Sequence, residues 1–175
     1  MEFTFDAATP VLRRTPAVLQ TLLRDLPSPW LAATEGPDTW NPFDVVGHLI
    51  HGERTDWIPR VEHLLTHGES VAFTPFDRFA QFEASRGKTL AELLDTFAVL
   101  RASSLERLAE LRLTSADLGR RGLHPALGVV TLGQHLASWV VHDLDHLVQI
   151  SRVMGKQYAD AVGPWRENLR ILQPV

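Results

Sequence analysis

Between Thr131 and Met154 the chain reads TLGQHLASWVVHDLDHLVQISRVM, and no other stretch carries a stronger helical signal. Thr131-Leu132-Gly133-Gln134 is a capping box, in which the threonine and the glutamine each satisfy a free backbone donor of the first turn. At 3.6 residues per turn, Leu132, Leu136, Trp139, Val140, Leu147, Ile150 and Met154 fall on one broad arc. His135, His142, His146 and Gln149 fall on the edge of that arc, so the histidines border the core. Gly155 is the expected stop, as the C′ residue. Asp143 lies within the apolar arc, where a carboxylate needs a partner. Arg13, Arg14 and Arg101 are the partners considered, with a dimer interface as the alternative.

His142 and His146 are spaced i, i+4, which stacks two imidazoles one turn apart, close enough to share a metal ion. Imidazole suits zinc, copper, nickel and iron. A third ligand has to come from elsewhere, and the eight histidines fall in two groups, His48 to His67 and His124 to His146. Asn41-Pro42 is a helix start. The helix it opens is expected to run to about Thr66 or His67, to stop at Gly68 and to kink at Pro59. One stripe on it holds Val45, His48, Leu49, Gly52 and Asp56. A second holds Val46, Ile50, Trp57, Val61 and Leu64. Periodicity does not say which stripe faces the 131–154 helix, and His51 competes with His48 as the third ligand. Gly47 and Gly52 would admit another helix at close range.

The remaining segments complete an all-helical pattern. Thr9-Pro10 is read as the start of the first helix, with Val11, Thr15, Val18, Leu19, Leu22 and Leu26 inward. Thr89-Leu90-Ala91-Glu92 is a second capping box, opening a helix to about Leu111. Phe76, Phe79 and Phe82 lie in a loop expected to fold back on the body. Thr114 to Gly128 reads as irregular with one helical turn, and Gly128-Val129-Val130 as too short for a strand. Pro164 to Leu172 reads as a short terminal helix. The fold expected is all-α, a four-helix bundle with long connections, built as one domain over residues 1–175.

Bulk properties exclude several functions. A net charge of −4 leaves no basic surplus for phosphates, so nucleic acid is not an expected partner. The chain has no cysteine, which removes disulfides, thiolate metal sites and cysteine nucleophiles. No window approaches the ~18 consecutive apolar residues of a membrane span, and the first residues lack a secretory pattern. The expected location is the cytoplasm, with no membrane partner.

The run Trp40-Asn41-Pro42-Phe43-Asp44-Val45-Val46-Gly47-His48-Leu49-Ile50-His51-Gly52-Glu53 resembles the second-helix motif of the DinB-like superfamily: a tryptophan before the helix, then His-Leu, then Glu five residues on. Thr131 to Ile150, with His142-x-x-x-His146-x-x-Gln149-Ile150, resembles its fourth-helix motif. The order of segments matches over nearly the whole chain, to the Gly163-Pro164-Trp165 tail. The resemblance implies a four-helix bundle of the DinB/YfiT-like type, a divalent metal held by His48, His142 and His146, and homodimers. It selects His48 over His51. The superfamily includes bacillithiol and mycothiol S-transferases and mycothiol-dependent isomerases. His51 and His135 are extra histidines outside the motif, carried as catalytic candidates.

Three neutral imidazoles leave a cation with its full charge and open positions, the pattern of catalytic sites. Such an ion lowers the pKa of a water, or takes a thiol as thiolate. The function expected from open coordination is therefore metal-dependent catalysis, and the resemblance implies a thiol S-transferase acting on small electrophiles. The alternatives are a metal-dependent hydrolase and a non-catalytic, stress-related metal-binding dimer. One divalent ion per chain is expected, zinc or nickel ahead of manganese or iron, with a small-molecule substrate. Asp44 and Gln149 are the groups placed to orient ligands. His63 and His67 read as solvated, and His124 as part of a loop near the site mouth. A homodimer is expected because the second helix carries two apolar stripes.

Overall fold

The computed structural model describes residues 1–173; Pro174 and Val175 lie outside the described residues. Seven helices and one hairpin follow in order: α1 Phe5–Leu23, α2 Ser28–Ala32, α3 Pro42–Thr55, α4 Trp57–His67, α5 Ala80–Ser85, α6 Leu90–Glu110, β1 Arg121–His124, β2 Gly128–Thr131 and α7 Leu132–Lys156. Three short 3-10 stretches join them, Ser115–Gly119 before β1, and Gly163–Asn168 and Arg170–Leu172 after α7. The last two replace the terminal α-helix expected from Pro164 to Leu172. Four long rods form the bundle: α1, the α3–α4 pair, α6 and α7. Both α1 and the α3–α4 pair pack against α6 and α7, which places α1 diagonal to α3–α4 and α6 diagonal to α7.

The capping boxes hold. Thr89 and Glu92 exchange bonds at the start of α6, Thr131 and Gln134 at the start of α7, and Asn41 and Asp44 at the start of α3. Asp44 is thus committed to its helix end and does not orient His48. Other boundaries differ from expectation. α1 starts at Phe5, because Thr4 caps it by accepting from Ala7 N, so Pro10 and Pro16 lie inside the helix. Its buried line is Leu12, Thr15, Leu19 and Leu23, while Val18 faces solvent. The α3–α4 rod breaks at Asp56, one turn before Pro59. Proline has no N–H to bond the carbonyl four residues back, which weakens the ladder there. Gly155 is interior to α7; a Cβ on it would sit 3.4 Å from Ile171, so it admits the C-terminal 3-10 turn.

The hairpin was not expected. Gly122 pairs with Val130 and Leu123 with Val129, and Phe73 N donates to Leu123 O at 2.9 Å, tying the hairpin to the loop after α4. A four-residue strand has too few alternations to register as a pattern; the pairing comes from the turn and from Phe73. In the loop, Phe73 is buried and Phe76 half-buried, but Phe79, and Phe82 within the short helix α5 that replaces part of the expected loop, are exposed, against expectation.

The core divides into two apolar clusters. One holds Leu12, Trp57, Val61, Leu105 and Trp139, the other Leu19, Ile50, Phe97 and Ile150. Between them every rod contributes a polar group: Thr15 from α1, Glu53 from α3, Arg101 from α6 and Asp143 from α7, all buried. The Arg101 guanidinium bonds both Asp143 oxygens, at 2.5 and 2.9 Å, reaches Glu53 Oε1 through Nε (2.9 Å) and Nη2 (2.8 Å), and donates to Leu12 O. Thr15 Oγ1 donates to Asp143 Oδ2 at 2.6 Å. Of the three arginines weighed for Asp143, Arg101 is the partner. Burial pushes the Glu53 carboxyl up, against the pull of Arg101.

Candidate metal centre

Both stripes of α3 are buried, so its imidazole-bearing face meets α7 while its other face meets α6. That leaves no free stripe on α3 for a second copy of the chain, which removes one of the two grounds for expecting a dimer, the other being the resemblance. His48 comes in on α3, and His142 and His146 on successive turns of α7. Their Nε2 atoms converge: His142 Nε2 lies 3.1 Å from His48 Nε2 and 3.1 Å from His146 Nε2. The three ligand atoms all lie within 4.8 Å of one another. His48 and His146 are buried and His142 is half-buried.

The protonation pattern fits a cation. His146 Nδ1–H donates to Gln149 Oε1 at 2.7 Å, which places the proton on Nδ1 and the lone pair on Nε2, toward the other two rings. Burial, reinforced by the neighbouring imidazoles, pushes the pKa of His48 and of His142 down to about 3. His146 is lowered too, by burial, against the pull of Gln149. All three rings are therefore neutral near pH 7, the form a metal requires. His48 Nδ1 and His142 Nδ1 are buried without a hydrogen-bond partner among the described residues. Packing orients these two rings instead. Trp40 lies 4.9 Å from the His48 ring and Phe76 meets its edge at 5.5 Å; Trp57 meets His142 at 5.0 Å.

The other candidates stand apart from this cluster. His51 is half-buried against Phe76, ring centroids 4.8 Å apart. His135 is two turns before His142 with the Trp57 ring beside both, 5.6 Å from His135. Its Nε2–H donates to Trp57 O at 3.0 Å, which leaves Nδ1 as the acceptor. Neither joins the triad. His124 lines the same cavity as His135 and His142. His63 donates to Val71 O at 2.9 Å, and His67 is exposed.

Several contacts around the centre escaped sequence reasoning. Trp40, quoted there as a motif residue, and Phe76, expected there to fold back on the body, both pack against His48, from loops where no periodicity marks an inward side. Arg60 and Arg78 look like ordinary surface charges in the sequence, yet Arg60 is buried and lies over Phe73, and Arg78 lies over Trp40. For Trp40 a usable signal existed in its place directly before the Asn41 cap.

Residues 12–150 match the family model described as the DinB superfamily. Among curated proteins no match is found. Among solved structures the chain is similar to YfiT from Bacillus subtilis, described as a probable metal-dependent hydrolase with an unusual four-helix bundle topology. That likeness has a TM-score of 0.74 and 22% identity, and covers 87% of this chain and 86% of YfiT. With the family model spanning most of its length and the same bundle in its fold, this chain belongs to the DinB superfamily.

Proposed function

We propose that this protein is a metal-dependent enzyme that transfers a low-molecular-weight thiol to a small electrophile. The observation that carries the metal-dependent part of the reading is the donor set: three neutral imidazoles and, in that cluster, no carboxylate among the described residues. Transfer ahead of hydrolysis rests on likeness to the thiol transferases of the superfamily. Three protein ligands leave positions for reactants, as in catalytic rather than structural sites. A divalent cation held there, zinc or nickel before manganese or iron, supplies Lewis acidity that drops the pKa of a thiol or a water toward neutrality.

The chain's own residues do the rest. His48, His142 and His146 present lone pairs without adding charge, so the ion keeps its full pull on a thiol. Gln149 holds the His146 proton at Nδ1 and so keeps Nε2 free. Trp40, Phe76 and Trp57 wall the imidazoles with apolar rings, which limits competing water and strengthens charge interactions inside. A cytoplasmic setting suits a thiol substrate, since thiols are kept reduced there. Hydrolysis is the second reading, favoured by the description of YfiT, which shares the fold. A homodimer belongs to the proposal through the outer strip of α7, where Val141, Leu144 and Val148 are exposed at helical spacing.

Metal analysis of untagged protein tests the core of the reading. One divalent ion per chain is expected, lost in His48→Ala and in His142→Ala and kept in His51→Ala. Stoichiometric metal in the first two variants, or its loss only in the third, overturns the assignment. Cation-dependent thioether formation against cation-dependent ester cleavage then separates transfer from hydrolysis.

A further inference from the structure

Two separate chambers meet the imidazole triad from opposite directions along α7. Toward the start of that helix, a cavity of about 520 Å³ opens between α4, the hairpin and α7, with His142 in its wall. Toward its end, a cleft of about 430 Å³ opens beneath the α2–α3 loop, with His146 in its wall. No residue lines both. Each is within the size range of small-molecule sites, roughly 300–1,000 Å³.

Their chemistries differ. The hairpin cavity has an apolar side formed by Trp57, Phe73, Leu127, Val129 and Val130, facing polar groups that include His124, Gln134, His135 and Ser138. Its one ion pair, Asp56 with Arg60 at 2.9 Å, is closed on itself. At its mouth Leu127 is 74% exposed and Val129 43%, apolar surface that a ligand would cover. The cleft is polar. Its Arg152 is matched by Glu35 at 2.8 Å, but Arg78, Asp38 and Asp145 have no ion-pair partner among the described residues. Arg78 lies 5.1 Å over the Trp40 ring, and Trp40 is the wall of His48, so this cation stands beside the centre. One unpaired cation and two unpaired carboxylates, all exposed in the lining of one cleft, are complementary to a molecule that carries both an ammonium and a carboxylate.

We propose that the centre holds two organic molecules at once: a planar apolar one in the hairpin cavity against His142, and a small zwitterion in the cleft against His146. The inference rests on the transfer reading, since hydrolysis requires only one organic substrate. It names the class of each partner: an aromatic electrophile and an amino-acid-like thiol.

Calorimetric titration of the zinc-loaded protein tests occupancy without turnover, using indole as the planar probe and S-methyl-L-cysteine as a zwitterion that cannot transfer. Both should bind at about millimolar strength, each unaffected, to about twofold, by saturation with the other. Val129→Arg should weaken indole about tenfold and leave S-methyl-L-cysteine unchanged; Arg78→Glu should do the reverse. Both side chains are exposed, so neither change enters the core, and Leu127→Arg repeats the first test at the same mouth. Mutual competition, equal weakening of both probes by one variant, or failure of either probe to bind the wild type overturns the proposal. Two-probe binding with no cation-dependent thioether formation would reject transfer and leave the two chambers standing.

Discussion

Arg101→Met is the most informative single perturbation of the fold. The side chain is 2% exposed, and both carboxylates that it bonds, Glu53 and Asp143, are at 0%. The substitution keeps most of the packing volume against Phe97 and Trp139, whose rings lie 4.9 and 5.1 Å from the guanidinium carbon. It removes five hydrogen bonds from one guanidinium, four to carboxylates and one to Leu12 O. Removing one member of a buried ion pair costs about 3–5 kcal/mol, because the other charge is left in low dielectric. At roughly 3 °C per kcal/mol for a chain of this length, the melting temperature should fall by about 9–15 °C. Thermal unfolding followed by circular dichroism reads this directly. The triple variant Arg101→Met, Glu53→Met, Asp143→Leu should recover most of the loss, since it leaves no orphaned charge. A loss under about 1 kcal/mol in the single variant, the value of an exposed pair, would refute the reasoning. So would a triple variant no more stable than the single one.

Three further outcomes are expected. Gln149→Ala should weaken metal binding about 10- to 100-fold in chelator competition while leaving the stoichiometry at saturation unchanged, because His146 loses the acceptor that fixes its tautomer. Gly47→Ala should cost about 1–3 kcal/mol in chemical denaturation, since the new Cβ would lie 2.5 Å from Gln81 Oε1 and 2.6 Å from Ser85 Oγ, both side chains being buried. The metal-free protein should lose stability on acidification: His48 and His142 have pKa values pushed from 6.5 to about 3 by burial and their neighbours, so between those values the unfolded chain binds the extra protons. That stability is complete above about 6.5 and drains away as pH falls toward 3, and the slope should flatten in the double variant His48→Gln, His142→Gln, measured by denaturant midpoints across the window.

What sequence could settle here was local. The start of α7 depends on Thr131 and Gln134, three residues apart, and the stacking of His142 over His146 on one helical turn, so both were legible in a short window. The same holds for the α6 start at Thr89 and Glu92. The Thr9-Pro10 reading failed for a related reason: two local caps competed, and Thr4 won because Phe3 and Phe5 anchor the earlier turn on the core. Periodicity favoured His48 over His51 only modestly, through its neighbours Val45, Leu49 and Gly52; family likeness singled it out.

Tertiary packing decided the rest, because the deciding contacts join residues far apart in the chain. His48 meets His142 across 94 positions, Arg101 meets Asp143 across 42, and Thr15 meets Asp143 across 128. No residue-level preference distinguishes Arg101 from Arg13 or Arg14 as a partner for Asp143; only the diagonal placement of the rods brings α6 and α7 to one buried layer. The polar middle of the core follows from the same geometry. A charge there survives only where all four rods supply partners at once, and a one-dimensional pattern holds no record of that simultaneity.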